Sequence, residues 1–574
     1  MFLNQVPSLD RNRCVISCVL SGMEHVITFR TITLFGLLLL HTFLPAQDDQ
    51  QELTAALDEA LLEHFTADAP GGAVLVAQGN TILYEKAIGV ADLGSKQALT
   101  TAHQFRIASV TKQFAAVAVL QLVEAGKLRL SDEVQRYVDF PKKAHRITLE
   151  HLLTHTSGIP DFTRTKAYTP EAYAKDVSLP ELIALFANEP LAFVPGTKYS
   201  YSNSGYILLT AIMEKVSGQS WSDYARDHLF APAGMTSSSA AITGGPLEAE
   251  AIGYAEGEQG WEPAYPISLS WPRAAGCIRS TVRDLWAWNR SVFAGKLTDA
   301  TLLVQAHRPF LLSDGSPTDY GYGWFLQNVQ GSPTIEHNGG IDGFTSACIY
   351  LPKEEIYVAV LVNRQTSDAN DLAPVLAAIA LGKPYGGPVL PLASEAAQDY
   401  TGVYVNPEGV ERYITATDKG LHAQREGSTR LDLDHLGNDR FIYHGDVITI
   451  TFERKDGRVV GARFVSRWGE EELIRSDKPI PVRKEIPLTG AELQRYVGTF
   501  EMAEGFTLTF RVEGDRFFAQ ATRQPEFELF GEGPHAFFLK VLDARIEFYP
   551  EADGTVKRMK LFQGGEMEGV RIDQ

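Results

Sequence analysis

Two kinds of hydrophobic spacing alternate along the chain, and they divide it. From Gly71, "GGAVLVAQGNTILYEKAIGVADL" carries two apolar runs separated by Gly79-Asn80, which predicts two strands joined by a tight turn. From Ser109, "SVTKQFAAVAVLQLVEAGKL" changes to the helical period. Phe114, Val117 and Leu120 against Gln121 and Glu124 predict an apolar and a polar face, and Gly126 fits just past the C-terminus. Helix and loop then mix up to about Arg308. "YGYGWFLQNV" and "SACIYLPKEEIYVAVLVN" predict returning strands, and "DLAPVLAAIALG" a closing helix. Strands at both ends with helices between predict one unit of about 340 residues whose N- and C-terminal strands share a sheet.

Beyond Gly386 the texture changes. "GGPVLPLAS" is a linker by composition, and an internal repeat follows it. "DYTGVYVNPEG" at Asp399 returns as "RYVGTFEMAEG" at Arg495, and "ITFERKDGRVVGARF" at Ile450 returns as "IEFYPEADGTVKRMKL" at Ile546. Both pairs are offset by 96 residues, with "KPIPVRKEIP" between the copies. Each copy holds about eight short alternating runs in about 80 residues, such as "RYITATD", "RFIYHGD" and "VITITFER" in the first. That density predicts two small closed antiparallel barrels, over 395–478 and 490–574.

The other end of the chain reads as a leader. Arg30 precedes an apolar run from Thr31 to Leu44, then Leu-Pro-Ala and a polar stretch. Fourteen residues suit a signal-peptide core better than a bilayer span, with cleavage near Ala46 and an uncleaved anchor as the lesser alternative. Translation from Met1 or from Met23 is compatible with this reading. The expected organisation is therefore a leader at 1–46, a catalytic unit at 47–385 and the two barrels. The expected location is periplasmic or secreted, with no stable membrane insertion after cleavage.

Composition adds exclusions. The 574 residues are 44% hydrophobic and 21% charged, ordinary for globular protein, and suffice for several domains. A formal net charge of -19 argues against a nucleic-acid partner, since phosphate binding needs clustered Lys and Arg. Cys14 and Cys18 fall in the leader. Cys277 and Cys348 are compatible with a disulfide or with two buried, inert thiols, and no cysteine or histidine spacing suggests a metal site. His151 and His155 stand four apart in "HLLTH" but lack the glutamate of a zinc helix, so a structural role is preferred. No phosphate loop or dinucleotide fingerprint occurs, so no cofactor is expected.

The candidate chemistry begins at Ser109-Val110-Thr111-Lys112. Residues three apart share a helical face, so Lys112 reaches the Ser109 hydroxyl. A serine needs a base beside it, and a lysine serves only when desolvation or neighbouring positive charge lowers its pKa. Alone the pair is weak, because serine near a helix start is usually a cap. Downstream lie Tyr201-Ser202-Asn203 and His337-Asn338-Gly339. In that order, SxxK, YxN and HxG resemble the three active-site elements of the serine β-lactamase and penicillin-binding-protein superfamily. The closer likeness is to its class C-like branch, which includes D-aminopeptidases and esterases. "HLLTHTSGIPDF", "RAAGCIRSTVRDLWAW" and "YGYGWFL" look like framework segments of that branch, and the resemblance runs from about Pro70 to Leu381.

The resemblance implies an α+β catalytic domain of the β-lactamase/transpeptidase type, with an antiparallel sheet, a largely helical lobe and the site between them. It implies Ser109 as nucleophile, with Lys112 and Tyr201 sharing the proton-transfer role in an order that spacing leaves open. Asn203 would hold Lys112 and the substrate amide. His337, Gly339 and Gly340 would form the third element, with the Ser109 and Gly340 N–H groups as oxyanion hole. His337 occupies a position where many β-lactamases and carboxypeptidases have a charged lysine. A mostly neutral histidine weakens carboxylate anchoring. D-aminopeptidases resemble this chain in that histidine and in two appended eight-stranded barrels. The expected activity is therefore acyl transfer on small amides, peptides or esters. The rivals are a β-lactamase or D,D-carboxypeptidase, and a non-catalytic penicillin- or ligand-binding protein. The barrels are read as spacers or as walls that narrow the cleft mouth. Trp286 and Trp288 are read as packing residues, Trp324 as a packing or ligand-stacking residue, and Asp342 as a turn cap or an amine-binding group. Arg273 is a candidate to face the cleft.

Overall fold

The computed structural model describes residues 47–572 except 142–145, 244–246, 248, 258–259, 418–419, 427, 482–483, 504–505, 523 and 564. The leader therefore lies outside the described residues. The chain divides into a unit ending at Leu53 and one spanning Thr54–Gln574, which holds the sheet, the helices packed on it and both barrels. No helix among the described residues is long and apolar enough to cross a membrane.

Helix α1 (Gln47–His64) leads into strands β1 (Gly72–Gln78) and β2 (Thr81–Ile88), joined by the Gly79-Asn80 turn. After helices α2 (Thr111–Glu124), α3 (Asn203–Ser217) and α4 (Val282–Phe293) the chain returns as four more strands. These are β3 (Phe325–Val329), β4 (Ser332–Ile341), β5 (Phe344–Leu351) and β6 (Ile356–Val362), and helix α5 (Asp368–Ala380) closes the unit. The sheet order is β2-β1-β6-β5-β4-β3, antiparallel throughout. The expected pairing of first and last strands is the β1–β6 ladder, from Gly72 opposite Val362 to Gln78 opposite Ile356. "GAVLVAQ" and "IYVAVLV" are buried on both faces, which explains why they read as continuous apolar runs rather than alternating ones.

Two sequence expectations change. Helix α2 is buried on nearly every side, from Thr111 to Leu120 without a break, because it runs through the core instead of along its surface. Phe114 stacks on Trp288 at 3.8 Å between ring centroids. "YGYGWFLQNV" is a strand only from Phe325. Gly323, at φ +83°, packs so tightly that a Cβ would stand 2.7 Å from the Lys112 carbonyl oxygen. Trp324 is buried with Trp288, whereas Trp286 is partly buried, packed against the core beneath Arg290.

Both repeats are closed eight-stranded meanders, β7 (Gly402–Val405) to β14 (Gly469–Ser476) and β15 (Gly498–Ala503) to β22 (Glu566–Arg571). The 96-residue offset has a physical basis, because equivalent residues do equivalent work. Tyr400 and Tyr496 both pack into the core of their barrel, Gly402 and Gly498 both take positive φ, and Ile450 and Ile546 are both interior. The second interior holds Tyr496, Phe500, Phe510, Phe517, Phe537 and Phe548 in mutual contact, a packed core and not an open cup.

The first barrel meets the catalytic unit at the free edge of β3. The hairpin turn at Arg467-Trp468 places the Arg467 carbonyl to accept from Asn328 N (3.2 Å) and Nδ2 (2.9 Å), and the Arg467 guanidinium pairs with Glu336. An exposed sheet edge is thereby covered. Both charges are about nine-tenths buried, so loss of one partner strands the other. Arg467→Ala is expected to cost about 3–5 kcal/mol, measured as a lower urea-unfolding midpoint of the catalytic unit and first barrel. An unchanged midpoint would mean that the pair contributes nothing to docking.

Candidate active site

Ser109 sits in a 3₁₀ turn, Ala108–Val110, that runs directly into α2. Ala108 holds φ +45°, a costly conformation for a residue with a Cβ, and such strain clusters at functional turns. One turn on, Lys112 is wholly buried, with Nζ 3.0 Å from Ser109 Oγ, 2.9 Å from Asn203 Oδ1 and 2.8 Å from the Ala275 carbonyl oxygen. Burial pushes the lysine down to about 7, with Asp161 pulling weakly the other way. As an ammonium it donates to all three neighbours. As a neutral amine it keeps two donors, for Asn203 and Ala275, and turns its lone pair to the serine hydroxyl. The arrangement has the parts of a nucleophile with its base.

Asn203 opens α3, and its Nδ2 donates to Asp161 Oδ2 at 3.0 Å, which fixes the amide with Oδ1 toward Lys112. Tyr201 lies just before it, its ring 4.8 Å from Lys112 Nζ. Burial raises the Tyr201 phenol well above its ordinary value, and a hydrogen bond with Ser109 pulls it back. The opposite directions leave Lys112 able to present a free amine near neutral pH while Tyr201 stays a neutral phenol. That is a distinction sequence spacing leaves open.

His337 lies beneath the cleft, 1% exposed, with Nε2 2.8 Å from the Tyr320 hydroxyl and Nδ1 2.6 Å from the Asn338 carbonyl oxygen. A carbonyl only accepts, so Nδ1 carries the proton and Nε2 receives the Tyr320 hydroxyl. Burial, with Lys112 nearby, pushes the ring down to about 3, so it is neutral. Strand β4 passes Ser109 from here. A Cβ on Gly339 would stand 2.5 Å from the Ile107 carbonyl and 2.8 Å from Ser109 N, so this glycine is demanded by protein packing. A Cβ on Gly340 would meet nothing within 4 Å, because that side opens to the cleft. Pairing of β3 with β4 ends at Glu336, leaving the far half of β4 without a strand on that side.

The cleft measures about 260 Å³, below the roughly 300–1,000 Å³ of drug-sized sites, and has Ser109, Asn203 and Gly340 in its lining. Helical-lobe residues Phe162 and Tyr168 face sheet residues Ile341 and Asp342. Every lining residue lies between Ala108 and Gln365, so the barrels do not narrow this cleft among the described residues. Arg273 is buried and turns its Nη2 to the Val177 carbonyl, not into the cleft. Asp342 lines the cleft from the β4–β5 hairpin turn. Cys277 and Cys348 are both free and buried, their thiols pushed up to about 12. Among the described residues no three His, Cys, Asp or Glu are grouped to hold a metal ion.

Two residues acquire a place that spacing did not show. His155 has its ring centroid 4.1 Å from that of Tyr201, and its Nδ1 accepts from Ser202 N at 3.1 Å. It therefore sets the position of the tyrosine, from a backbone at φ +57°. Tyr320 holds the His337 ring through Nε2 at 2.8 Å, while the Asn338 carbonyl sets its tautomer. Sequence spacing assigned His155 a structural role without its partner, and nothing in "TDYGYGW" singled out Tyr320.

Fold and site together define a serine hydrolase built on the β-lactamase framework. Residues 59–381, more than half of the chain, match the family described as Beta-lactamase, and the chain belongs to that family. Residues 482–571 match a domain of unknown function, DUF3471, which takes in the second barrel. Penicillin-binding protein 4* of Bacillus subtilis (strain 168) is 27% identical over 430 residues, covering 71% of this chain and 95% of that protein. Protein flp of Staphylococcus aureus (strain MW2) is 28% identical over 55% of this chain, which spans 63% of flp. Among solved structures, D-amino acid amidase from Ochrobactrum anthropi SV3 complexed with L-phenylalanine is 25% identical. It covers 57% of this chain and 98% of its own, at a TM-score of 0.51. The octameric penicillin-binding protein homologue from Pyrococcus abyssi, 23% identical, shares the fold over 74% of this chain and 99% of its own (TM-score 0.52).

A lysine that titrates near 7 is charged below that pH and neutral above it. For an uncharged ester such as p-nitrophenyl acetate, kcat/KM is expected to rise about tenfold per pH unit below about pH 7 and to level off above. Lys112→Arg, charged at every working pH, should lose about 10²–10⁴ of that rate. A flat profile between pH 5 and 9 would exclude the lysine as proton acceptor.

Proposed function

We propose that the protein is an exported serine hydrolase that cleaves small amides, short peptides or esters through an acyl-enzyme on Ser109. The observation that carries this is the wholly buried Lys112 amine, 3.0 Å from the Ser109 hydroxyl and anchored by Asn203. Ser109 Oγ attacks the substrate carbonyl carbon while its proton passes to neutral Lys112. The carbonyl oxygen takes the charge and rests between the N–H groups of Ser109 and Gly340. Collapse of the tetrahedral adduct breaks the bond to the leaving group, which departs as an amine or alcohol with the proton relayed from Lys112 through Tyr201. Water then attacks the acyl-enzyme by the same route reversed, releasing the acid and restoring Ser109.

The substrate class follows from charge. Neutral, buried His337 supplies no cation to hold a substrate carboxylate. This favours D-aminopeptidase- or esterase-like substrates, a reading supported by the likeness to a D-amino acid amidase. The likeness to penicillin-binding protein 4* supports the second reading, a β-lactamase or D,D-carboxypeptidase. In the third, a non-catalytic protein, penicillin would bind without turnover. The apolar leader, which precedes the described residues, supports periplasmic or secreted location.

Intact-mass measurement with benzylpenicillin separates the three readings, with p-nitrophenyl acetate hydrolysis followed in parallel. We expect ester turnover that falls about 10⁴-fold or more in Ser109→Ala, with the fold retained, and no penicillin adduct. A stable adduct without ester turnover would favour the non-catalytic reading. A transient adduct with drug loss would favour the β-lactamase. Ester turnover undiminished in Ser109→Ala would remove the serine from the mechanism.

A further inference from the structure

The cleft contains one carboxylate that the reaction above does not use. Asp342 and Gly343 form the two-residue turn of the β4–β5 hairpin, with Ile341 opposite Phe344. The turn is pinned, since Gly343 holds φ +80° and a Cβ there would stand 2.7 Å from Gly253. At about 3.3 Å per residue, Asp342 lies about 7 Å beyond Gly340, on the same strand end and in the wall of the same cleft as Ser109. An ammonium group one or two bonds from the scissile carbonyl falls within that span.

The charges around Asp342 leave it without a cation. It forms no ion pair among the described residues. Arg106, the guanidinium that acts on it, is engaged by Glu250 Oε1 at 2.8 Å and the Ile267 carbonyl at 3.3 Å, and Glu250 also pairs with Arg279. Lys112 is saturated by Ser109, Asn203 and Ala275. Arg273 faces the Val177 carbonyl. Asp161, the other acid of this region, accepts from Asn203 Nδ2 and from Thr163 N and is spent on positioning. The remaining neighbours are the phenols of Tyr173, which offers Asp342 a hydroxyl, and of Tyr168. Aromatic faces beside a carboxylate favour a cation between them. Half-burial raises the Asp342 carboxyl, against the pull of the Tyr173 hydroxyl and of Arg106.

We propose that Asp342 is the anchor for a protonated amine on the acyl half of the substrate, so that the enzyme removes a single N-terminal residue bearing a free amino group. This deepens the hydrolase reading and rests on it. The small cleft admits one aminoacyl unit, with its carbonyl at Ser109 and its side chain against Phe162 and Tyr168. An N-acylated residue loses the ion pair and leaves the carboxylate desolvated. A substrate carboxylate there meets repulsion, in keeping with the absence of a lysine at position 337.

The test compares the p-nitroanilides of D- and L-alanine with their N-acetyl derivatives on the full chain, with p-nitrophenyl acetate as reference. The free amine is expected to be preferred in kcat/KM by about tenfold to a hundredfold, the worth of a hydrogen bond to a charged group. In the isosteric Asp342→Asn that ratio should fall toward one. The ratio in the unmodified enzyme needs no variant to fold. Equal rates, preference for the N-acetyl compounds, turnover of the ester alone, or a ratio unchanged in Asp342→Asn would overturn the role of Asp342 while leaving the hydrolase reading intact. Absence of Ser109-dependent turnover of p-nitrophenyl acetate would overturn both.

Discussion

The amine of Lys112 is wholly buried in the catalytic unit, held by a serine hydroxyl, an asparagine oxygen and a backbone carbonyl. Burying an ammonium is expensive, so burial lowers the lysine to about 7, and three acceptors receive its hydrogens when it is charged. Much of the surrounding architecture serves that one placement. Helix α2 must run through the core, so its flanks are Phe114, Ala115, Ala116 and Val117 instead of polar residues. Gly323 must be glycine because the backbone of Lys112 occupies the space of a Cβ. Asp161 must orient the Asn203 amide so that oxygen, not nitrogen, meets the lysine.

Strand β4 gathers the second half of the site. Its first residues pair with β3, and its last ones pass Ser109 with only β5 beside them. The packing of Gly339 against Ile107 and Ser109 joins the nucleophile's turn to the sheet at its closest approach. Ser346, on the neighbouring strand, donates its hydroxyl to the Ile107 carbonyl at 2.8 Å and locks the same junction. The first barrel grips this strand from outside through Glu336, the residue before His337. The barrel is thus a clamp on the site's supporting strand, not a wall of the cleft.

Charge selects among the chemistries that this framework can host. A neutral histidine stands at position 337, and a carboxylate with no ion pair among the described residues lies two residues beyond Gly340. The same nucleophile and base would serve a cyclic amide, a peptide or an ester. What differs is which end of the substrate finds a counter-charge, and here the cleft offers one to an amine.

Much of this was legible in order along the chain. The motif residues Ser109, Lys112, Tyr201, Asn203 and His337 stand at spacings that chemistry constrains. The doubled barrels show in a repeat because equivalent interior positions need equivalent apolar residues. The sheet's first and last strands show as apolar runs because both faces of each are covered. Other features were not legible, and for a common reason. The buried course of α2, the lowered pKa of Lys112, the seat of His155 against Tyr201, the turn of Arg273 away from the cleft and the lack of an ion pair at Asp342 among the described residues all depend on neighbours far away in sequence. Local spacing determines which side chains are available and which element carries them. Desolvation, ion pairing and the direction in which a side chain faces are sums over whatever the fold brings near, and those only the tertiary structure decided.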